Sequence, residues 1–232
     1  MREISIPALD NNGSFNAHVA TPEGAARAAI VVIQEIFGVN RGIRQKCDKL
    51  AAAGYLAIAP DLFWRIEPGI ELDPDVDAEM QQALGLMGKF DQDQGVADIE
   101  ATITAARSHL AEGGKVGVVG YCLGGRLAFM TAARTDADAS VGYYAVGIDG
   151  LLGEADAIAK PVLLHVPKDD HFVGPETQAK MHEGLDDHPM VTLHDYAGED
   201  HGFATEVGNR RSPEAAELAD ARTMAFFGEY LG

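Results

Sequence analysis

Six short, nearly uninterrupted apolar runs govern what this chain can fold into. They are "AAIVVIQE" (28–35), "YLAIAP" (55–60), "KVGVVG" (115–120), "SVGYYA" (140–145), "PVLLHV" (161–166) and "MVTLHDY" (190–196). A strand with one wet face alternates apolar and polar residues; a strand covered on both faces does not. These runs therefore read as members of a mostly parallel sheet. Parallel neighbours need crossovers, and helical patterns over roughly 41–53, 74–88, 93–111, 124–134, 175–187 and 213–230 supply them. Two helix starts are marked by proline at the first helical position with an acid beside it, in Gly174-Pro175-Glu176 and Ser212-Pro213-Glu214. The expectation is an α/β fold with helices on both faces of the sheet. A single domain spans 1–232, with no linker, repeat or low-complexity tract. In such sheets, sites gather at the carboxyl ends of the strands.

Composition excludes several classes. There are 36 acidic and 18 basic residues, for a net charge of −18. That surface repels phosphates, so neither nucleic acid nor an anionic membrane is an expected partner. Cys47 and Cys122 are too few for a disulfide framework, and "MREISIPALD" lacks the apolar core of a signal peptide. The longest apolar run, "AAIVVI", is too short to span a bilayer. A reduced, cytoplasmic, soluble protein is expected.

Four candidate residues fall at strand ends. "VGVVGYCLGG" (116–125) is a buried strand, a Gly-flanked turn and the start of a helix. That is the context in which hydrolases present a nucleophile, with Cys122 where Ser is usual. Asp170 follows the fifth run in "HVPKDDHFVGP", and His201 follows the sixth in "YAGEDHGFA". The order nucleophile, acid, base is that of an α/β-hydrolase. Glu35 ends the first run between apolar flanks. Spacing alone leaves Asp169 competing with Asp170, and His171 with His201. Cys47, inside "RQKCDKLAAAG", reads as a buried helix residue. No His or Cys pair has metal-site spacing, so no metal is expected, and nothing calls for a cofactor. The irregular stretch 60–74 is the expected active-site loop.

Together these residues resemble the dienelactone hydrolase family of α/β-hydrolases. The matching strings are "QEIFGVN" (34–40), "GYLAIAPDLF" (54–63), "GKVGVVGYCLGG" (114–125), "VGYYAVG" (141–147), "DHFV" (170–173) and "GEDHGFA" (198–204). The resemblance implies a triad of Cys122, Asp170 and His201, with "DHFV" deciding for Asp170. It implies a fourth carboxylate in Glu35, an oxyanion hole from the Ile36 and Leu123 N–H groups, and a monomer. The implied substrate is a small lactone or ester. Sulfur narrows it further, because a thiolate leaves easily and its adduct reverts unless the other group leaves as well. Enol lactones and activated esters meet that condition.

Two positions depart from the family. Its dienelactone-cleaving members hold the substrate carboxylate with two arginines, where this chain has Met80 and Thr205. Leu84 and Met87 stand at aromatic pocket positions of the same helix. Phe37, Trp64, Arg65, Tyr144 and Phe203 complete the candidate pocket. Arg65, Arg126, Arg210 and Arg211 are the arginines available to replace the missing pair. The alternatives are a general carboxylesterase acting on small activated esters without a free carboxylate, and a non-catalytic or redox-active cysteine protein.

Overall fold

All six apolar runs are strands in the computed structural model, which describes residues 2–232. The strands are β1 (Arg2–Pro7), β2 (Ser14–Ala20), β3 (Ala29–Ile33), β4 (Leu56–Pro60), β5 (Val116–Tyr121), β6 (Ala139–Tyr143), β7 (Val162–Pro167) and β8 (Val191–Tyr196). The helices are α1 (Arg41–Ala52), α2 (Asp77–Met87), α3 (Gln92–Ser108), α4 (Leu123–Arg134), α5 (Pro175–Leu185) and α6 (Pro213–Tyr230). The strands form one sheet in the order β1-β2-β4-β3-β5-β6-β7-β8. β3 to β8 run parallel, and β2 pairs antiparallel with both β1 and β4. Proline stands in the first turn of both α5 and α6, as the sequence marks it.

The unbroken apolar character of the runs has a direct physical cause. In β3, Val31 and Ile33 join the core shared with α3 and α4, while Ile30 and Val32 join the core shared with α1 and α6. Successive side chains of a strand point to opposite faces, so both sets must be apolar when helices cover both faces. Each fully buried Val or Ile contributes about 1.5–3 kcal/mol. Among the described residues, no helix is long and apolar enough to cross a membrane.

The hairpin was not legible in the runs. Its first strand, "REISIP", is short and bounded by turn residues, and only part of β2 is continuously buried. A 3-10 stretch, Ile148–Ala157, was likewise unforeseen.

The topology fixes where a site can form. From β3 the chain crosses to β4 on one side and then returns to place β5 on the other. The direction of winding reverses between β3 and β5, which opens a crevice beyond their carboxyl ends. Glu35 and Cys122 are the residues that leave those two strands.

Candidate active site

Cys122 sits at the tip of the β5–α4 turn with φ 57° and ψ −115°. A non-glycine residue is rarely held there, at a cost of roughly 1–3 kcal/mol. Three glycines make the turn possible. A Cβ on Gly120 would lie 1.9 Å from Gly124 O, one on Gly124 2.5 Å from the Ile33 and Gln34 carbonyl oxygens, and one on Gly125 2.8 Å from Tyr143 O. The first turn of α4 is therefore pressed directly onto the ends of β3 and β6. The Cys122 N–H donates to Tyr143 O at 3.0 Å, while Cys122 O accepts from the Gly125 and Arg126 N–H groups. The Leu123 N–H begins α4, where helix N–H groups have no intrahelical acceptor.

The turn after β3 is braced from the other side. Asn40 caps α1 by accepting from the Gly42 and Ile43 N–H groups, and its own amide donates to Leu72 O at 3.1 Å. Gln34 Oε1 accepts from the Leu62 N–H. Stretch 60–72 thus clasps the turn that carries Glu35, Ile36 and Phe37.

Asp170 and His201 meet beyond β7 and β8. Asp170 Oδ1 accepts from the Phe172 and Val173 N–H groups, and Oδ2 lies 2.9 Å from His201 Nδ1. With Nδ1 donating, Nε2 is left without a hydrogen-bond partner, in a cleft shared with Cys122. Burial opposes the imidazolium, but the Asp170 carboxylate and the Cys122 sulfur outweigh it, and the His201 pKa is pushed up to about 10. The imidazole edge is fixed by the Tyr144 and Phe172 rings, at 5.0 and 4.8 Å between centroids. The competing residues lie elsewhere: Asp169 is exposed, and His171 Nδ1 pairs with Asp200 Oδ1 at 2.7 Å.

Glu35 is only 5% exposed, and its Oε1 has no hydrogen-bond partner. The Tyr144 hydroxyl is buried and unpartnered too. Burial, then the negative charges of Glu35 and Cys122, raise its pKa well above the usual phenol value. Unpartnered polar groups collect around this cleft.

The cleft is narrow, about 50 Å³, and its walls come from three directions. Ile36 and Phe37 follow β3; Met80, Leu84 and Met87 share one face of α2; Val146, Phe172 and Arg210 close the rest. Val146, Phe172 and Arg210 are additions to the expected pocket. Only the string "DHFV" pointed at Phe172.

Several expected pocket residues are elsewhere. The Trp64 Nε1–H donates to Asp98 Oδ2 at 2.7 Å, and its ring packs on Phe15 along a separate hollow beside β2. Arg65 pairs with Asp98 and Asp10. Both are drawn away because Asp98, buried on α3, needs donors. Thr205 turns inward and donates from Oγ1 to Val207 O at 3.0 Å. Phe203 packs between Tyr144 and Tyr196, behind His201. Stretch 60–74 supplies no lining residue; it braces the site instead.

Asp170, His171 and Asp200 can each direct one ligand atom into a common space. Both Asp170 oxygens are already engaged, so a cation there would compete with the Asp170–His201 pair. Cys47 is fully buried in α1, and burial pushes its thiol pKa far up.

The chain is similar to known proteins along nearly its whole length. The model of the dienelactone hydrolase family matches residues 15–231. A relative from Azospirillum brasilense is 49% identical over 234 residues, covering 100% of both chains. The carboxymethylenebutenolidase of Pseudomonas putida is 40% identical over 223 residues, 96% of this chain and 94% of that one. Among solved structures, one from Klebsiella pneumoniae superposes with a TM-score of 0.86 at 28% identity, covering 99% of this chain and 98% of that one.

Proposed function

The chain belongs to the dienelactone hydrolase family, whose members hydrolyse ester and lactone bonds, and we propose that it does so through a thioester on Cys122. The Cys122 sulfur attacks the carbonyl carbon, and the Ile36 and Leu123 N–H groups stabilise the oxyanion. Collapse expels the alcohol or enolate, which takes its proton from the His201 imidazolium. His201, now neutral and still oriented by Asp170, draws a proton from water as the water attacks the thioester. At rest Cys122 is a thiol beside Glu35; Glu35 takes its proton when substrate arrives, freeing the thiolate that attacks, and returns it once water has released the acyl group. The observation that carries this reading is the strained Cys122 backbone beside a histidine whose other nitrogen is held by a buried carboxylate.

The leaving-group argument restricts the substrate to enol lactones and activated esters. Cys122→Ala should lower turnover of an enol lactone by about 10⁴-fold or more with the fold intact, and rapid quench should trap an acyl adduct on Cys122 in the parent enzyme. Turnover retained within tenfold refutes the nucleophile assignment. Equal acylation rates on an enol lactone, an aryl ester and an alkyl ester refute the substrate restriction.

A further inference from the structure

We propose that Arg210 is the anion anchor of this cleft, and that the substrate is an amphipathic, singly anionic ester or lactone. Its carboxylate lies beside the His201 loop and its hydrocarbon arm lies against α2. The inference rests on the hydrolase reading of the same site.

The four arginines available to replace the missing pair are separated by their partners. Arg65 is bound to Asp98 and Asp10 outside the cleft. Arg126 donates to Gln92 Oε1 and to Gly147 O. Arg211 pairs with Glu206 at 3.3 Å and donates to Thr205 O. Arg210 lines the cleft itself, and among the described residues no carboxylate lies within ion-pair distance of it. Its Nη2 is enclosed without an acceptor.

Among the described residues, Arg210 is the only arginine or lysine with a buried side-chain nitrogen that lacks a hydrogen-bond partner. Acidic residues outnumber basic ones two to one, 36 against 18, yet among the described residues none lies within ion-pair distance of this guanidinium. An enclosed charged donor without an acceptor is costly, so the arrangement is relieved when an anion enters. Among the described residues, four of the seven buried side-chain polar atoms that lack a partner belong to Glu35, Tyr144, His201 and Arg210. The polar demand of the fold is concentrated at one place.

Arg210 is also held ready. Its guanidinium carbon lies 5.6 Å from the Phe37 ring centroid, and its inner edge rests on Gly202, where a Cβ would meet three guanidinium atoms at 3.2 Å. A preorganised guanidinium loses little freedom on binding and favours a planar oxyanion such as a carboxylate. Away from the triad, the walls toward α2 are Met80, Leu84, Met87, Val146 and Phe172, none of them charged. One end of the ligand is therefore gripped and the remainder is selected by apolar contact. The two methionines can part to admit it.

Two matched ester pairs test this, with the carboxylate on either side of the scissile bond. One pair is the hexanoyl ester of 4-hydroxybenzoate and that of its methyl ester. The other is the 4-nitrophenyl monoester of adipic acid and its methyl ester. In at least one pair, kcat/KM should favour the free acid, and shortening the hexanoyl arm to acetyl should lower it. Arg210→Met should reduce the acid-to-methyl-ester ratio by about 10- to 100-fold, chiefly through KM, with Arg210→Lys restoring part of it. In the parent enzyme, hexanoate should inhibit more strongly than hexanamide, a readout that needs no variant to fold. Turnover of both pairs without preference for the acid overturns the Arg210 assignment alone, as does an Arg210→Met variant that slows both members equally. Turnover of neither pair overturns the hydrolase reading and this inference with it.

Discussion

Gly124→Ala probes how tightly the nucleophile turn must close. The added methyl would lie 2.5 Å from the Ile33 and Gln34 carbonyl oxygens and 2.9 Å from the Ile33 carbonyl carbon. All three are backbone atoms, so no side chain can swing aside. Restoring ordinary contact requires the start of α4 to move by roughly 0.9 Å from the end of β3. That movement separates the Leu123 N–H from the turn that carries Ile36. Losing one oxyanion donor costs about 10²–10³ in rate, while overpacking costs about 1–3 kcal/mol of stability. The expected result is a folded protein, with a melting temperature lowered by several degrees and kcat down at least about 100-fold. Stopped-flow acylation with an activated ester, beside a thermal melt by circular dichroism, measures both. Gly85→Ala is the control: it lies mid-α2 on the exposed side with nothing within 4 Å, and should stabilise by about 0.5–1 kcal/mol. A Gly124→Ala enzyme within threefold of the parent kcat would refute the close-approach reasoning.

Other outcomes follow from buried charge. With the His201 pKa at about 10, its imidazolium persists through neutral pH, so acylation should be level from pH 7 to 9 and fall above about 10. A rise between pH 6 and 8, as for free imidazole, would contradict that state. The same raised pKa favours folding fully below pH 6.5, a contribution lost as pH climbs through 10. His165 behaves oppositely. Burial, then the positive neighbours His194, Arg222 and Lys46, hold its pKa well below 6.5. As pH falls below 6.5 the unfolded chain gains a proton that the native state refuses, at about 1 kcal/mol per pH unit. Urea melts at pH 7 and 5 should show this loss in the parent and less of it in His165→Gln. Lys46 lies 2.9 Å from Glu206 and 3.1 Å from Asp220, buried beneath the Tyr121 and Tyr143 rings. Lys46→Met should cost about 3 kcal/mol by chemical denaturation. A loss under 1 kcal/mol would mean that Lys49 and Arg211 suffice for Glu206.

The parallel strands were legible because burial on both faces leaves unbroken apolar runs, and β3 to β8 begin and end within two residues of them. Cys122 stood out because its run stops in a Gly-flanked turn, whereas the ends of the next runs left Asp169 and Asp170, and His171 and His201, in competition, and only the resemblance carried by "DHFV" chose Asp170. The β1–β2 hairpin was not: an edge strand such as "REISIP" carries only half a pattern. Trp64 and Arg65 were misplaced because a loop sequence does not reveal which buried acid will claim its donors, and Asp98 is 33 residues from Arg65. Arg210 was one of four equivalent candidates for the same reason. Its distinction is the partner it lacks, and sequence does not record that.

The face of α2 that walls the cleft has few other obligations. Only Ala83 and Leu86 of that helix are buried, no side chain caps its start, and Leu84 is 42% exposed. Cys122, by contrast, sits in a turn whose glycines press directly on neighbouring backbone. Under the proposed mechanism, substrate range and bond-breaking therefore reside on elements with unequal tolerance of mutation. Leu84 can be exchanged for larger, smaller or polar residues at little cost to the fold, while Met80 and Met87, which also pack against the core, tolerate mainly apolar exchange.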